Sequence, residues 1–82
     1  MSETKLLLDI MEDIVKDPLS PKNVKKVITE SIKTIQETKT ELNVQLSSIV
    51  YNIERLTEDT NLSSYTRIKL FNLLSSIEAM KK

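Results

Sequence analysis

The chain contains no cysteine and no histidine, so disulfides, zinc clusters, thiolate nucleophiles and histidine bases are excluded together. It contains no glycine, which excludes phosphate loops and dinucleotide-binding turns, because their backbone conformations need a residue without a Cβ. No uninterrupted apolar stretch exceeds Leu6-Leu7-Leu8, against the roughly 20 residues that span a bilayer. Asp9, Glu12 and Asp13 fall where the apolar run of a secretory leader belongs. Only Tyr51, Tyr65 and Phe71 are aromatic, and they are widely separated, which is poor equipment for stacking on nucleic-acid bases. The expectation is a soluble, intracellular chain with no membrane segment, no cofactor and no small-molecule substrate.

What is present is one domain's worth of sequence, 82 residues with a formal net charge of zero. Chains of this size bury a modest share of their surface, so stability depends on close packing. The neutral total conceals a pattern. Residues 1–20 carry a net −3, residues 21–40 a net +3, residues 41–60 a net −3 and the remainder a net +3. If each quarter is about one helix, acidic and basic helices alternate and sequence neighbours attract.

Helical periodicity runs through all four quarters. Leu7, Ile10, Met11 and Ile14 recur at the spacing that makes one apolar stripe, predicting a helix from about Glu3 to Lys16. Asp17-Pro18 stops it, since the residue before proline is pushed out of the α region. Ser20 is a suitable cap and Pro21 a suitable first-turn residue for a second helix, which reaches about Glu37 with Val24, Ile28, Ile32 and Ile35 inward and Val27 beside them. Thr40 suits the cap of a third helix with Leu42, Leu46, Ile49, Val50, Ile53 and Leu56 on its face. Ser63 suits the cap of a fourth, carrying Leu70, Leu73, Leu74, Ile77 and Met80. No stretch alternates as a strand would, so the expected class is all-α.

Shifting the chain against itself by 42 residues aligns its halves without a gap. Leu7 falls on Ile49, Leu8 on Val50, Met11 on Ile53, Ile14 on Leu56, Ile28 on Leu70, Ile32 on Leu74 and Ile35 on Ile77. Any two amphipathic hairpins align on apolar positions, but Asp17 also meets Asp59 and Lys25 meets Arg67. An inner-turn aspartate followed by a base early in the second helix resembles HEAT-class repeats. The predicted architecture is a four-helix bundle of two stacked HEAT-like hairpins in a single domain, residues 1–82, with units at about 3–38 and 40–80. Asp17, Pro21, Asp59 and Ser63 are then structural turn residues. The aspartates accept amide hydrogen bonds at the next helix's start, and the bases pair with them or with neighbouring acids.

The segments Asp17-Pro18-Leu19-Ser20-Pro21-Lys22-Asn23-Val24-Lys25-Lys26, Asp59-Thr60-Asn61-Leu62-Ser63-Ser64-Tyr65-Thr66-Arg67 and Leu70-Phe71-Asn72 resemble the two halves of uncharacterised protein family number 147, small helical proteins of archaea. The resemblance covers nearly the whole chain. Members have an aspartate, a proline four residues later and a base four after that in both halves, with tryptophan at the Phe71 position. This chain departs from that pattern at Ser63, where the second proline belongs, and at Gln45, where an arginine is usual. The resemblance implies an all-helical fold and an archaeal, cytoplasmic home, and it brings no established activity.

Asp9 and Asp13 stand one turn apart beside Glu12 and could share a hard cation. A solvated acidic face or docking patch accounts for them with fewer requirements, and no metal site is expected. No serine, threonine or tyrosine has a base placed to activate it, so no catalysis is expected. Lys22, Lys25, Lys26 and Lys33 charge one side of the second helix, while Arg67 and Lys69 charge the matching part of the fourth. If the second helices of two stacked units lie side by side, these bases merge into a stripe about 20 Å long suited to an RNA backbone. Complementing the acidic first and third helices is the preferred reading of these bases, since the net charge of the domain is zero and not strongly positive. Ile68 and Phe71 lie well off the centre of the fourth helix's apolar face, with Tyr65 nearby. Those three are a candidate protein interface or homodimer seam; ordinary core packing of Phe71 is the alternative. The expected function is a non-catalytic interaction module or small adaptor for a protein partner or a second copy. The alternative is an accessory subunit of a nucleoprotein assembly such as the ribosome, contacting RNA through Lys22, Lys25, Lys26, Arg67 and Lys69.

Overall fold

The apolar stripes dictate four helices, because side chains three and four residues apart stack on one face only in that conformation. The computed structural model describes residues 2–37 and 41–80. Its helices are α1 (Ser2–Lys16), α2 (Lys22–Glu37), α3 (Leu42–Thr57) and α4 (Ser64–Met80). There is no strand among the described residues. One core collects Leu7, Met11 and Ile14 from α1, Val24, Ile28 and Ile35 from α2, Leu46, Ile49, Ile53 and Leu56 from α3, and Leu70, Leu73 and Ile77 from α4. Leu62, in the last loop, plugs it from the end. Val27, Ile32, Val50, Leu74 and Ile10 are partly buried against it. Leu42, expected on the inner face, is 38% exposed because α3 begins there, at the end of the bundle.

The helices form a ring: α1 packs on α2, α2 on α3, α3 on α4 and α4 on α1. Among the described residues, neither diagonal pair, α1 with α3 or α2 with α4, brings Cα atoms within 8 Å of each other. Short connections make consecutive helices antiparallel neighbours. The expectation that α2 and α4 lie side by side is therefore corrected. In this ring, the two second helices of the repeat face each other across the core. The radius of gyration, 11.9 Å, is that of a closely packed chain of this length.

The 42-residue shift that aligns the halves in sequence also aligns their burial. Every residue from 11 to 37 is buried, half-buried or exposed to the same degree as its mate 42 positions later. The inner turns also share their hydrogen bonds. Asp17 Oδ1 accepts the Leu19 amide at 2.9 Å and Asp59 Oδ1 accepts that of Asn61 at 2.9 Å. The Ser20 and Leu62 amides donate to the carbonyls of Asp17 and Asp59 at 3.1 Å each. These carboxylates close the turn two residues on as Asx turns, which corrects the expectation that they serve the start of the next helix.

Capping differs between the halves. The Ser63 Oγ accepts the Thr66 amide at 3.2 Å, satisfying one of α4's unpaired donors. Pro21 offers only its carbonyl, to the Lys25 amide at 3.0 Å. Ser20, expected as a cap, is buried and donates its hydroxyl backwards to the Ile14 carbonyl at 2.6 Å. Thr40, expected to cap α3, lies outside the described residues. Glu41 stands at the N-cap without a side-chain bond. One turn on, the buried Gln45 donates Nε2 to the Thr34 carbonyl at 2.9 Å, serving one of the acceptors that α2 leaves open at its end.

Candidate functional site

On α4 the inner face is Thr66, Leu70, Leu73 and Ile77, and at ~100° per residue Ile68 points almost directly away from it. The exposures follow: Tyr65 is 47% exposed, Ile68 58% and Phe71 48%. Phe71 is thus a surface residue and not core. The repeat supplies an internal comparison, since the equivalent positions on α2 are Asn23, Lys26 and Thr29. The fold accepts polar residues there, so nothing in the packing demands apolar ones on α4. Leu19, in the turn after α1, is 65% exposed. Its amide and the Tyr65 hydroxyl bind the two oxygens of the same Asp17 carboxylate, at 2.9 and 2.5 Å.

That carboxylate is the hub of a polar link between α1 and α4. Lys69 Nζ lies 2.7 Å from Asp17 Oδ2 and 3.0 Å from Asp13 Oδ2, and 5.1 Å from the centre of the Tyr65 ring. The Asp17 side chain is only 8% exposed, against 72% for Asp13, so Asp17 is the firmer partner. Hydrogen bonds from Lys69, Tyr65 and the Leu19 amide hold its carboxyl well below the usual range. In turn, Asp17, then Asp13 and Tyr65, push the Lys69 ammonium above its ordinary value.

The basic stripe is not assembled. Lys22, Lys25, Lys26 and Lys33 lie on α2, diagonal to α4. Lys69 is engaged with Asp13 and Asp17. Arg67 donates to backbone carbonyls, Nε to Thr57 at 3.3 Å and Nη2 to Asp59 at 2.8 Å, which staples the α3–α4 corner and corrects the expected pairing with acids. The four α2 lysines form no ion pair among the described residues. Asp9, Glu12 and Asp13 are exposed on α1, and among the described residues no three side chains of metal-ligating type converge. No described helix is long and apolar enough to cross a membrane.

Sequence reasoning missed the Asp17–Tyr65–Lys69 link, whose members stand 48 and 52 residues apart. The only signal was the opposite charge of the first and last quarters.

The model of the uncharacterised protein family UPF0147 matches residues 2–80. The chain belongs to that family. A UPF0147 protein of Sulfurisphaera tokodaii is 25% identical over 80 residues, spanning 98% of this chain and 90% of the relative. One from Thermoplasma volcanium is 25% identical over 73 residues, spanning 89% and 82%. The crystal structure of unknown function protein MMP1188 superposes with a TM-score of 0.86 at 22% identity, covering 98% of this chain and 91% of that one. Such a likeness establishes the fold of this UPF0147 chain and not its role.

Proposed function

We infer that this UPF0147 chain is a non-catalytic, cytoplasmic protein-interaction module that meets a protein partner through the outer face of α4. The observation that carries this reading is the exposure of Tyr65, Ile68 and Phe71 on a face whose repeat mate on α2 is polar. Large apolar side chains grouped on a surface where the fold does not need them are characteristic of contact sites, and aromatics dominate the energetics of such sites. The bond from Tyr65 to Asp17 pre-orders one ring of the patch, which lowers the ordering cost of binding.

Affinity capture from the native cell tests this, with wild type and Phe71→Asp compared side by side and light scattering used to detect a second copy. Partners or dimer present with wild type and lost with Phe71→Asp support the reading. Identical partner sets for the two proteins sink it. The substitution leaves the fold intact, because changes at such surface sites alter stability by about 0.5 kcal/mol or less.

The second reading is an RNA-contacting accessory subunit of an assembly such as the ribosome. Supporting it is the absence of ion-pair partners for Lys22, Lys25, Lys26 and Lys33 among the described residues. It predicts RNA binding that weakens steeply with salt, with a slope reduced in a Lys25→Gln, Lys26→Gln variant. Binding indifferent to salt or to that variant removes it.

A further inference from the structure

The outer face that α1 and α4 form together is apolar at both ends. At one end Leu6 and Ile10 of α1 and Ala79 and Met80 of α4 line an apolar groove of about 380 Å³, with Leu6 itself 63% exposed. At the other end α4 presents Tyr65 and Ile68, and the bond from Tyr65 to Asp17 ties that end to α1. Between the two ends lies one charged level, where the exposed Asp13 of α1 meets Lys69 of α4 at 3.0 Å. The repeat shows that the fold does not require this composition. The mates of Leu6, Ile10, Tyr65, Ile68 and Ala79 are Ser48, Asn52, Asn23, Lys26 and Glu37, all polar. Val44 and Tyr51 give α3 an exposed stripe of its own, but α2 beside it carries no exposed large apolar side chain among the described residues.

A face with this order complements itself. A two-fold axis running along the helices keeps each level opposite the same level of a second copy and sets α1 of one copy over α4 of the other. Apolar end then meets apolar end, and the charged levels match, because Asp13 of one copy faces Lys69 of the other. The other possible two-fold, running across the helices, lays α1 on α1 and turns the acids Asp9 and Asp13 against each other, which like-charge repulsion disfavours. The molecule measures 33 × 21 × 19 Å, so one long face offers about 600 Å² per copy, near the lower bound of specific interfaces.

We propose that the α1–α4 face is the seam of a symmetric homodimer, in which α1 of each copy lies over α4 of the other and Leu6 fills the groove beside Ala79 and Met80. The seam rests on the reading above in its use of Tyr65 and Ile68, and it names a second copy as the partner. Phe71 stays outside it. At ~100° per residue Phe71 falls on the flank of α4 opposite Asn72 and Ser76, which line the side toward α1.

Sedimentation equilibrium of the full chain tests this between about 1 μM and 1 mM, a range that brackets the roughly micromolar affinity of so small an interface. A monomer–dimer equilibrium is expected. Its dissociation constant should rise at least about tenfold in Leu6→Glu and in Ile68→Glu, since each sets a charge against an apolar level, and should stay within about twofold in Phe71→Asp. All three sites are exposed, so the variants keep their fold. The chain has no cysteine, so introduced ones report the geometry: an oxidised mixture of Leu6→Cys and Ala79→Cys chains is expected to give the mixed cross-linked dimer. A monomer at every concentration overturns the proposal and leaves the groove to a different protein. So does a cross-link of Ala79→Cys to Ile68→Cys in its place, which marks the two-fold across the helices. A dimer lost in Phe71→Asp but unchanged in Leu6→Glu also overturns the seam, while leaving the outer face of α4 as a contact site.

Discussion

Asp17 and Asp59 share one residue type and one turn geometry, and they differ in what reaches them from other helices. Their place in the turns was legible in the sequence, but the amide each accepts was not: the carboxylates close the turn two residues on and do not serve the next helix's start. The ammonium on Asp17 was not legible, because Lys69 meets it only after α4 has packed on α1. The link has a defined pH window. The Asp17 carboxyl is lowered in the folded state, so its contribution is complete above the unfolded value of about 3.9 and is lost as pH falls below it. The Lys69 ammonium is raised, so its contribution is complete below about 10.4 and is lost as pH climbs through the folded value. Asp17→Asn should therefore lower the melting temperature across neutral pH, with the gap from wild type closing below about pH 4. Melting curves from pH 2 to 9 check this; a gap that persists unchanged at pH 2 contradicts it.

At the scale of elements, boundaries came from local chemistry. The breaks at Asp17-Pro18 and around Asp59 lie within a residue or two of the observed helix ends, because capping and proline geometry act over fewer than four residues. Ser63 caps α4, while Ser20, the mate of Leu62, turned inward instead. The sequence alone left that choice open, since a hydroxyl serves a backward carbonyl as readily as a forward amide. Ser63→Ala should cost about 1 kcal/mol, read as a lower urea midpoint with an unchanged slope. A loss below a few tenths shows that water replaces the cap. Gln45, noticed in the sequence only as a departure from the family pattern, closes the end of α2 from the start of α3. Its partner carbonyl lies eleven residues away on α2, beyond any helical spacing.

At the scale of the whole molecule, all four helices share one core, so a cavity in it is felt everywhere. Ile53 is fully buried at its centre, and Ile53→Ala should cost about 2–5 kcal/mol. A domain of this size is worth only about 4–12 kcal/mol, so chemical denaturation should show a variant near the edge of stability. A cost under about 1 kcal/mol indicates a core that collapses around the gap. Composition, periodicity and the 42-residue repeat by themselves determined that the chain is four amphipathic helices, where each stops and which side of each turns inward. Those properties depend on residues a turn or less apart. Only the tertiary structure decided that the helices close as a ring with α2 and α4 on a diagonal, which separates the basic residues and brings Lys69 onto Asp17. An apolar stripe states which way is in, but it does not state which neighbour lies on either flank; that is set by how side chains from distant segments fit together once the core has formed.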